Sequence, residues 1–188
     1  MQLKDAIKKR KSVRRFLDKK PDWRKILQAI DMARFAPLAG SQTSWKFILI
    51  DDKDKIDEIA EASQQDFVGK VSYIVAVVSD DTKLVRSYDE AGIKFGRQQA
   101  GAAIQNFLLA LTELGLSTCW VGWFSEAQIK RVLRVPESCV VEAIFPVGLE
   151  TKIKTPEKNR YDLDDVVYFN KWGNPRMEGK TRVSIESI

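Results

Sequence analysis

The chain has no histidine among its 188 residues. That excludes Ser-His-Asp chemistry, histidine-ligated metal and imidazole acid–base catalysis. Only two cysteines occur, Cys119 and Cys139, both inside apolar strand-like runs, which suits buried reduced thiols. No apolar run reaches the roughly 20 residues of a membrane span. The N-terminal MQLKDAIKKRKS lacks the apolar centre of a signal peptide. Together these absences set the expectation of a cytoplasmic protein with no membrane partner. There is no G-x-G-x-x-G after the first strand-like run and no G-x-x-x-x-G-K-[ST], so the usual dinucleotide and P-loop fingerprints are missing. Internal repeats and low-complexity tracts are also absent. Any chemistry must use carboxylates, lysine, thiol, hydroxyl, backbone or a borrowed cofactor.

What is present describes one ordinary globular domain. Hydrophobic residues make up 44% and charged residues 30% of the chain, enough for a proper core. A net charge of +5 is compatible with an anionic ligand without demanding one.

The stretch 100–124, AGAAIQNFLLALTELGLSTCWVGWF, organises the rest. Its first part predicts a helix from Ala100 to about Leu114. Ile104, Phe107, Leu108, Leu109, Leu111 and Leu114 lie almost all round that helix, and a helix apolar on every side belongs inside a domain. Gly101, Ala102 and Ala103 have almost no side chain, so another backbone or a flat ligand can approach there. Gly115 fits the left-handed residue that ends a helix. Residues 116–124 then predict a buried strand running into Gly122, flanked by Trp120, Trp123 and Phe124. A glycine between aromatics at a strand end marks a place where backbone touches something, though core packing explains the pattern equally well.

Around this centre the periodicities alternate. Residues 3–9 predict a short amphipathic helix. Asp22 caps a second, reaching Ala36 and stopped by Pro37. LAGSQTS, residues 38–44, has turn composition. Residues 45–51 predict a strand, 53–65 a charged surface helix, and the β-branched run 71–79 a central strand. Residues 80–97 predict a helical approach to the core helix, with room for a break in SYDEAG. Ser125 caps a helix that Pro136 ends, and 139–149 is another strand. Residues 150–188 turn polar and basic, then aromatic. Such an extension, with scattered apolar anchors, is expected to wrap the domain or a second subunit. Four or five strands interleaved with helices give a layered α+β or α/β domain.

One basic run stands out. In KRKSVRRF, residues 9–16, four cations (Arg10, Lys11, Arg14 and Arg15) surround Ser12, with Val13 and Phe16 as apolar pins. Guanidinium forks and a hydroxyl suit a phosphate, which needs several converging donors. A solvated basic run or a nucleic-acid patch has the same composition. Val13 and Phe16 argue instead for a segment fixed against the core.

Four segments, taken in order, resemble the nitroreductase family of FMN-dependent oxidoreductases. RKSVRRF at 10–16 is similar to the family's R-x-S-x-R phosphate motif. APLAGSQTSWKF at 36–47 resembles its A-P-S-x-x-N-x-Q-P-W-x-F loop and strand. GAAIQNFLLALTELGLSTCWVGWF at 101–124 resembles its G-A-A-x-Q-N-L-L-L-A-A…G-L-G-x-x-W…G helix and strand. PEKNRYDLDDVVYFNKWG at 156–173 resembles its P-x-x-K-x-R-x-x-x-x-x-V terminal motif. The resemblance covers about residues 3–173.

It implies an α+β fold, a mixed or antiparallel sheet flanked by helices, in an intertwined homodimer whose C-terminal extensions embrace the partner. It implies FMN as cofactor and NADH or NADPH as electron donor. Arg10, Ser12 and Arg14 would hold the FMN phosphate, joined by Lys158 and Arg160, with Lys11 near the ribityl-phosphate region. Pro37, Leu38, Ala39 and Ser41 would come from the other subunit to lie near the flavin. The backbone of Val121 and Gly122 would face the flavin near N5, and Gly101 to Ala103 would let helices pack closely. Trp123 and Phe124 would line the acceptor pocket, core packing being their alternative role. No side chain is expected to act as a catalytic group, because the flavin carries the redox step.

The chain departs from the family pattern at Ser41, where the motif has Asn, and at Thr43 and Ser44, where it has Gln-Pro. Leu38 and Ala39 replace small hydroxylated residues, so only backbone contacts carry over there. The implied activity is ping-pong hydride transfer from NAD(P)H to a small-molecule acceptor such as a nitroaromatic, a quinone or a free flavin. No nucleic-acid partner is implied. Dehalogenation or flavin breakdown by a related flavin enzyme, and a non-catalytic polyanion-binding module, are the rival readings.

Overall fold

The β-branched run is the centre of a sheet. Tyr73–Ser79 (β2) is buried at every position. It lies between Trp45–Ile50 (β1) and Val140–Gly148 (β4), with the two-residue Ser117–Thr118 (β3) beyond β4, so the order is β1-β2-β4-β3 and every ladder is antiparallel. The structure is a computed structural model that describes residues 1–152 and 161–175. The chain divides into two units, Met1–Thr155 and Pro156–Ile188.

Both faces of the sheet are covered, which is why β2 reads as unbroken apolar sequence rather than as an alternation. Successive side chains point to opposite faces. Tyr73, Val75, Val77, Ala143, Phe145 and Val147 share one cluster with the helices Trp23–Ala33 (α2) and Ala91–Glu113 (α5). Ile74, Ala76, Val78, Val141 and Ile144 share the other with Lys53–Ser63 (α3) and Glu126–Leu133 (α6). Phe107 of α5 sits fully buried between Phe47 and Phe145, ring centroids 5.4 Å and 5.6 Å away. Removing a ring so enclosed costs about 3–5 kcal/mol.

The core helix is longer than the sequence pattern suggests. It begins at Ala91, after Thr82–Tyr88 (α4), and the break falls at Asp89, whose φ is 50°. Gly92 lets the two helices meet: a Cβ there would stand 2.4 Å from the Leu84 carbonyl carbon. Gly115 takes the expected left-handed turn, φ 75°. Arg97 of α5 reaches back to pair with Asp81 at 2.8 Å and also with Glu142 of β4.

Two predicted elements end early. The helix from Asp22 stops at Ala33, and the next three residues close i→i−3 bonds, because the residue before Pro37 is steered out of the helical region. The predicted strand 116–124 is a strand only at Ser117–Thr118. After that Val121 alone rejoins β4, by an isolated bridge to Ile144. Trp120, Gly122 and Trp123 are exposed, because this segment is at the sheet's edge and leaves β4 after the single bridge of Val121.

At that edge the chain's start adds itself to the sheet. Leu3–Lys9 (α1) ends at Arg10, after which Ser12 bridges Thr118 in parallel and Phe16 bridges Glu150. The N–H of Leu17 donates to the Leu149 carbonyl at 2.8 Å. Phe16 lies on Gly148, where a Cβ would be 2.8 Å from the ring. In the second unit, residues 161–175 hold a short 3-10 turn at Leu163–Asp165 and an edge-to-face pair of Tyr168 and Trp172 at 5.1 Å.

Candidate functional site

The basic run is not a solvated tail. Val13 is 1% exposed and faces the core, so the alternation of an extended chain turns Ser12 and Arg14 to the other side. There Arg14 lies over the Phe67 ring, 5.8 Å from its centroid, a cation–π arrangement. Phe67 belongs to the 3-10 turn Asp66–Lys70 that follows α3. The side chains of Ser12 and Arg14 both approach the thiol of Cys119. Burial pushes that thiol up from its ordinary value, although Arg14 and Ser12 pull it down, so it is a neutral SH at physiological pH. Arg10 is half-buried at the end of α1. Lys11 turns instead to Glu150, 2.8 Å away, so its charge is already engaged. Lys158 and Arg160 lie outside the described residues.

Val121 and Gly122 follow Cys119. The N–H of Val121 donates to the Ile144 carbonyl at 3.1 Å and its carbonyl accepts from Ile144 at 3.0 Å. Both backbone groups of Val121 are therefore committed to β4. Gly122 is exposed, and a Cβ built on it would meet only the Trp120 indole nitrogen, at 3.8 Å. Its backbone face is open. Trp123 is 82% exposed, while Phe124 packs against the cluster between the sheet, α3 and α6. The Gln65 amide donates to the Trp123 carbonyl at 3.5 Å and so ties the turn after α3 to this segment.

The loop with Pro37, Leu38, Ala39 and Ser41 stands elsewhere. It leads into β1, at the sheet edge opposite β3. It also lies at the other end of the strands: Trp45 is level with Ser79 and so with Val140, whereas Ser117 is level with Gly148. That separation is about 25 Å along the strands for Ser117 and about 13 Å for Val121, which is level with Ile144, and about 14 Å across them. One chain therefore brings together Ser12, Arg14, Val121 and Gly122 but does not bring residues 37–41 to them. The loop is held by Gln99 of α5, whose amide oxygen accepts from Ala39 N at 3.1 Å.

Sequence reasoning missed Gln65, Phe67, Cys119 and Gln99 as neighbours of these segments. Gln65 and Phe67 follow Gln64, a left-handed residue that ends α3, and glutamine carries no local signal for that turn. Gln99 reads as one polar position on a helix. Among the described residues no cluster of three His, Cys, Asp or Glu could hold a metal, and no helix is long and apolar enough to cross a membrane.

Known proteins resemble this chain in sequence and in fold. The model of the nitroreductase family matches residues 7–71 and 63–149. A solved nitroreductase family protein from Clostridium novyi NT shares 30% identity, covering 93% of this chain and 96% of that one, with a TM-score of 0.74. A Methanothermobacter thermautotrophicus protein provisionally named NADH dehydrogenase/NAD(P)H nitroreductase is 26% identical over 176 residues, 92% of this chain and 88% of that protein. An iodotyrosine deiodinase from Thermotoga neapolitana is 26% identical over 162 residues, 78% of this chain and 87% of that protein.

Proposed function

The chain belongs to the nitroreductase family, and on that premise we propose that it is an FMN-dependent oxidoreductase. It draws on NADH or NADPH and reduces a nitroaromatic, a quinone or a free flavin. The observation that carries this reading is the seating of Ser12 and Arg14, a hydroxyl and a guanidinium turned to one side of a strand that Val13 pins to the core.

The donor set fits the cofactor. A phosphate offers only acceptors, and Arg10, Ser12 and Arg14 offer donors, two of them forked. The neutral Cys119 thiol beside them adds no competing anion. With Lys11 engaged by Glu150, the phosphate falls, among the described residues, to Arg10, Ser12 and Arg14. Gly122 fits as well, since its bare backbone leaves space for a flat ring. Bound there, the flavin supplies hydride chemistry. The protein supplies orientation: the Gly122 N–H is the uncommitted donor of the pair, Gln65 fixes the turn through the Trp123 carbonyl, and exposed Trp123 borders the acceptor's approach. Phe124 serves packing instead.

The two distant halves of the site support a homodimer. Residues 37–41 reach the basic strand of a second copy, so each site takes its phosphate clamp from one chain and its loop from the other. Most of the extension expected to embrace the partner, residues 150–188, lies outside the described residues.

The test is an absorbance spectrum of the purified protein, then anaerobic addition of NADH and of NADPH. A flavin band that bleaches is the expected result, and the faster nucleotide names the donor. No flavin band after reconstitution with excess FMN would sink the proposal. A second reading, reductive removal of a halogen, draws support from the deiodinase among the relatives. Iodide release from an iodinated tyrosine under reducing conditions would favour it over acceptor reduction.

A further inference from the structure

We propose that Gln99 is the positioning residue that projects the tip of the 38–44 loop toward the flavin, and that Ser44 is its anchor. This rests on the flavin reading above. Gln99 is 3% exposed, one of the few buried polar side chains among the described residues. Its carboxamide has one acceptor atom and two N–H donors on one plane, and every one is used. The oxygen accepts from Ala39 N at 3.1 Å, and the nitrogen donates to the Gln42 carbonyl at 3.2 Å and to the Ser44 hydroxyl at 2.6 Å. A flipped amide would set its NH2 against the Ala39 N–H, so the network has one orientation.

The two backbone partners bracket the residues that need holding. Between Ala39 and Gln42 lie Gly40 and Ser41, both left-handed, with φ 54° and 57°. Glycine accepts that region freely, but serine does not, and consecutive left-handed residues persist only where their surroundings over-determine them. The surroundings do so here. Gln42 N closes onto the Ala39 carbonyl at 3.0 Å, and the Gln42 amide donates to the Ser87 hydroxyl at 2.9 Å. Beneath the tip stands the Tyr88 hydroxyl, 2.4 Å from where a Cβ on Gly40 would be. The tip cannot fall back onto the helix and is held out.

What it holds out is polar. Ser41 and Thr43 are exposed, and neither hydroxyl has a partner among the described residues. These positions and Ser44 are where the sequence departs from the family pattern. A proline at position 44 would offer Gln99 no hydroxyl. In this chain the serine is buried and bonded to Gln99, so the departure at 44 and the clamp form one device that presents hydroxyls at 41 and 43 in place of amides.

The experiment compares the holoprotein with Gln99→Ala, Ser44→Ala and, as a control, Ile59→Val. Ile59 is buried in the opposite layer, so Ile59→Val lowers Tm without touching the loop. The readouts are the FMN Kd from fluorescence quenching and the visible circular dichroism of the bound flavin. Gln99→Ala is expected to weaken FMN about tenfold and to alter the flavin dichroism, Ser44→Ala about threefold with the same spectral change, from the typical net strength of the bonds removed. Ile59→Val is expected to leave both readouts as in the wild type. Wild-type Kd and dichroism in Gln99→Ala, with only Tm lowered, would overturn the proposal. If that variant fails to fold, unchanged readouts in Ser44→Ala do the same. Wild-type protein that takes up no FMN overturns the flavin reading, and this inference with it.

Discussion

Val13 donates its backbone N–H to the carbonyl oxygen of Thr118 at 2.9 Å, across 105 positions of sequence (118 − 13). That bond makes the basic run an extra strand beside β3 and decides which of its side chains face the core. Val13 goes in, and Ser12 and Arg14 go to the side of Phe67 and Cys119.

Arg14→Ala should therefore weaken FMN by between roughly tenfold and a hundredfold, the range for a lost charge-assisted pair. Arg14 is exposed, so far-UV dichroism and Tm should stay close to wild type. Titration of FMN fluorescence measures the affinity. An unchanged Kd would remove Arg14 from the phosphate site.

Gly122 separates folding from function. Its Cβ position is open apart from the Trp120 indole nitrogen at 3.8 Å, so the fold tolerates a side chain there. Gly122→Val is expected to keep a near-wild-type Tm and to lose at least about tenfold in flavin affinity, as a side chain fills the space a ring would occupy. A fall in Tm with affinity intact would show that the glycine serves the backbone alone.

The opposite placement of the basic strand and the 37–41 loop makes a prediction about mixed dimers. Gly40→Val displaces the loop tip, since its Cβ meets the Tyr88 hydroxyl and its left-handed φ disfavours a branched residue. Each of Arg14→Ala and Gly40→Val alone should lose tight FMN binding. A dimer made of one chain of each carries one site with an intact strand and an intact loop. It should recover one FMN per dimer, read by absorbance after tandem-tag purification. No recovery would mean that strand and loop do not come from different chains.

Asp81 gives a pH dependence away from the flavin. Burial pushes its carboxyl above its ordinary value of 3.8, Arg97 pulls it back, and Glu142 and Asp80 push it further up. An acid raised in the folded state holds its proton longer there than in the unfolded chain. Its stabilising contribution is full below the unfolded value and is lost as pH rises through the folded one. Asp81→Asn does not titrate. The Tm of the wild type relative to Asp81→Asn should therefore decline as pH rises above the ordinary carboxylate value of 3.8. Parallel Tm curves for the two proteins would contradict the raised value.

Much of this protein is legible without coordinates. The all-round apolar helix, the β-branched run of β2 and the glycine after the helix are local patterns. Burial follows periodicity, and periodicity is written along the chain. Four motifs in order are enough to point to the family. Even the fixing of the basic run is visible in Val13 and Phe16, because a solvated run has no use for apolar pins.

Other features leave no such trace. Lys11 is engaged by Glu150, Val121 has both backbone groups on Ile144, Phe124 packs half-buried against the core, and Gln99 clamps a loop some 60 residues before it. Nor does the sequence say that the loop and the basic strand stand at opposite edges of the sheet. The physical reason is common to all of them. A hydrogen bond or ion pair between distant residues needs only two complementary groups at about 3 Å, and lysine, glutamine or a backbone N–H reads the same whether its partner is protein or water. Sequence determined which side chains seek the interior, and only the tertiary structure decided which polar groups are already satisfied and which remain for a ligand.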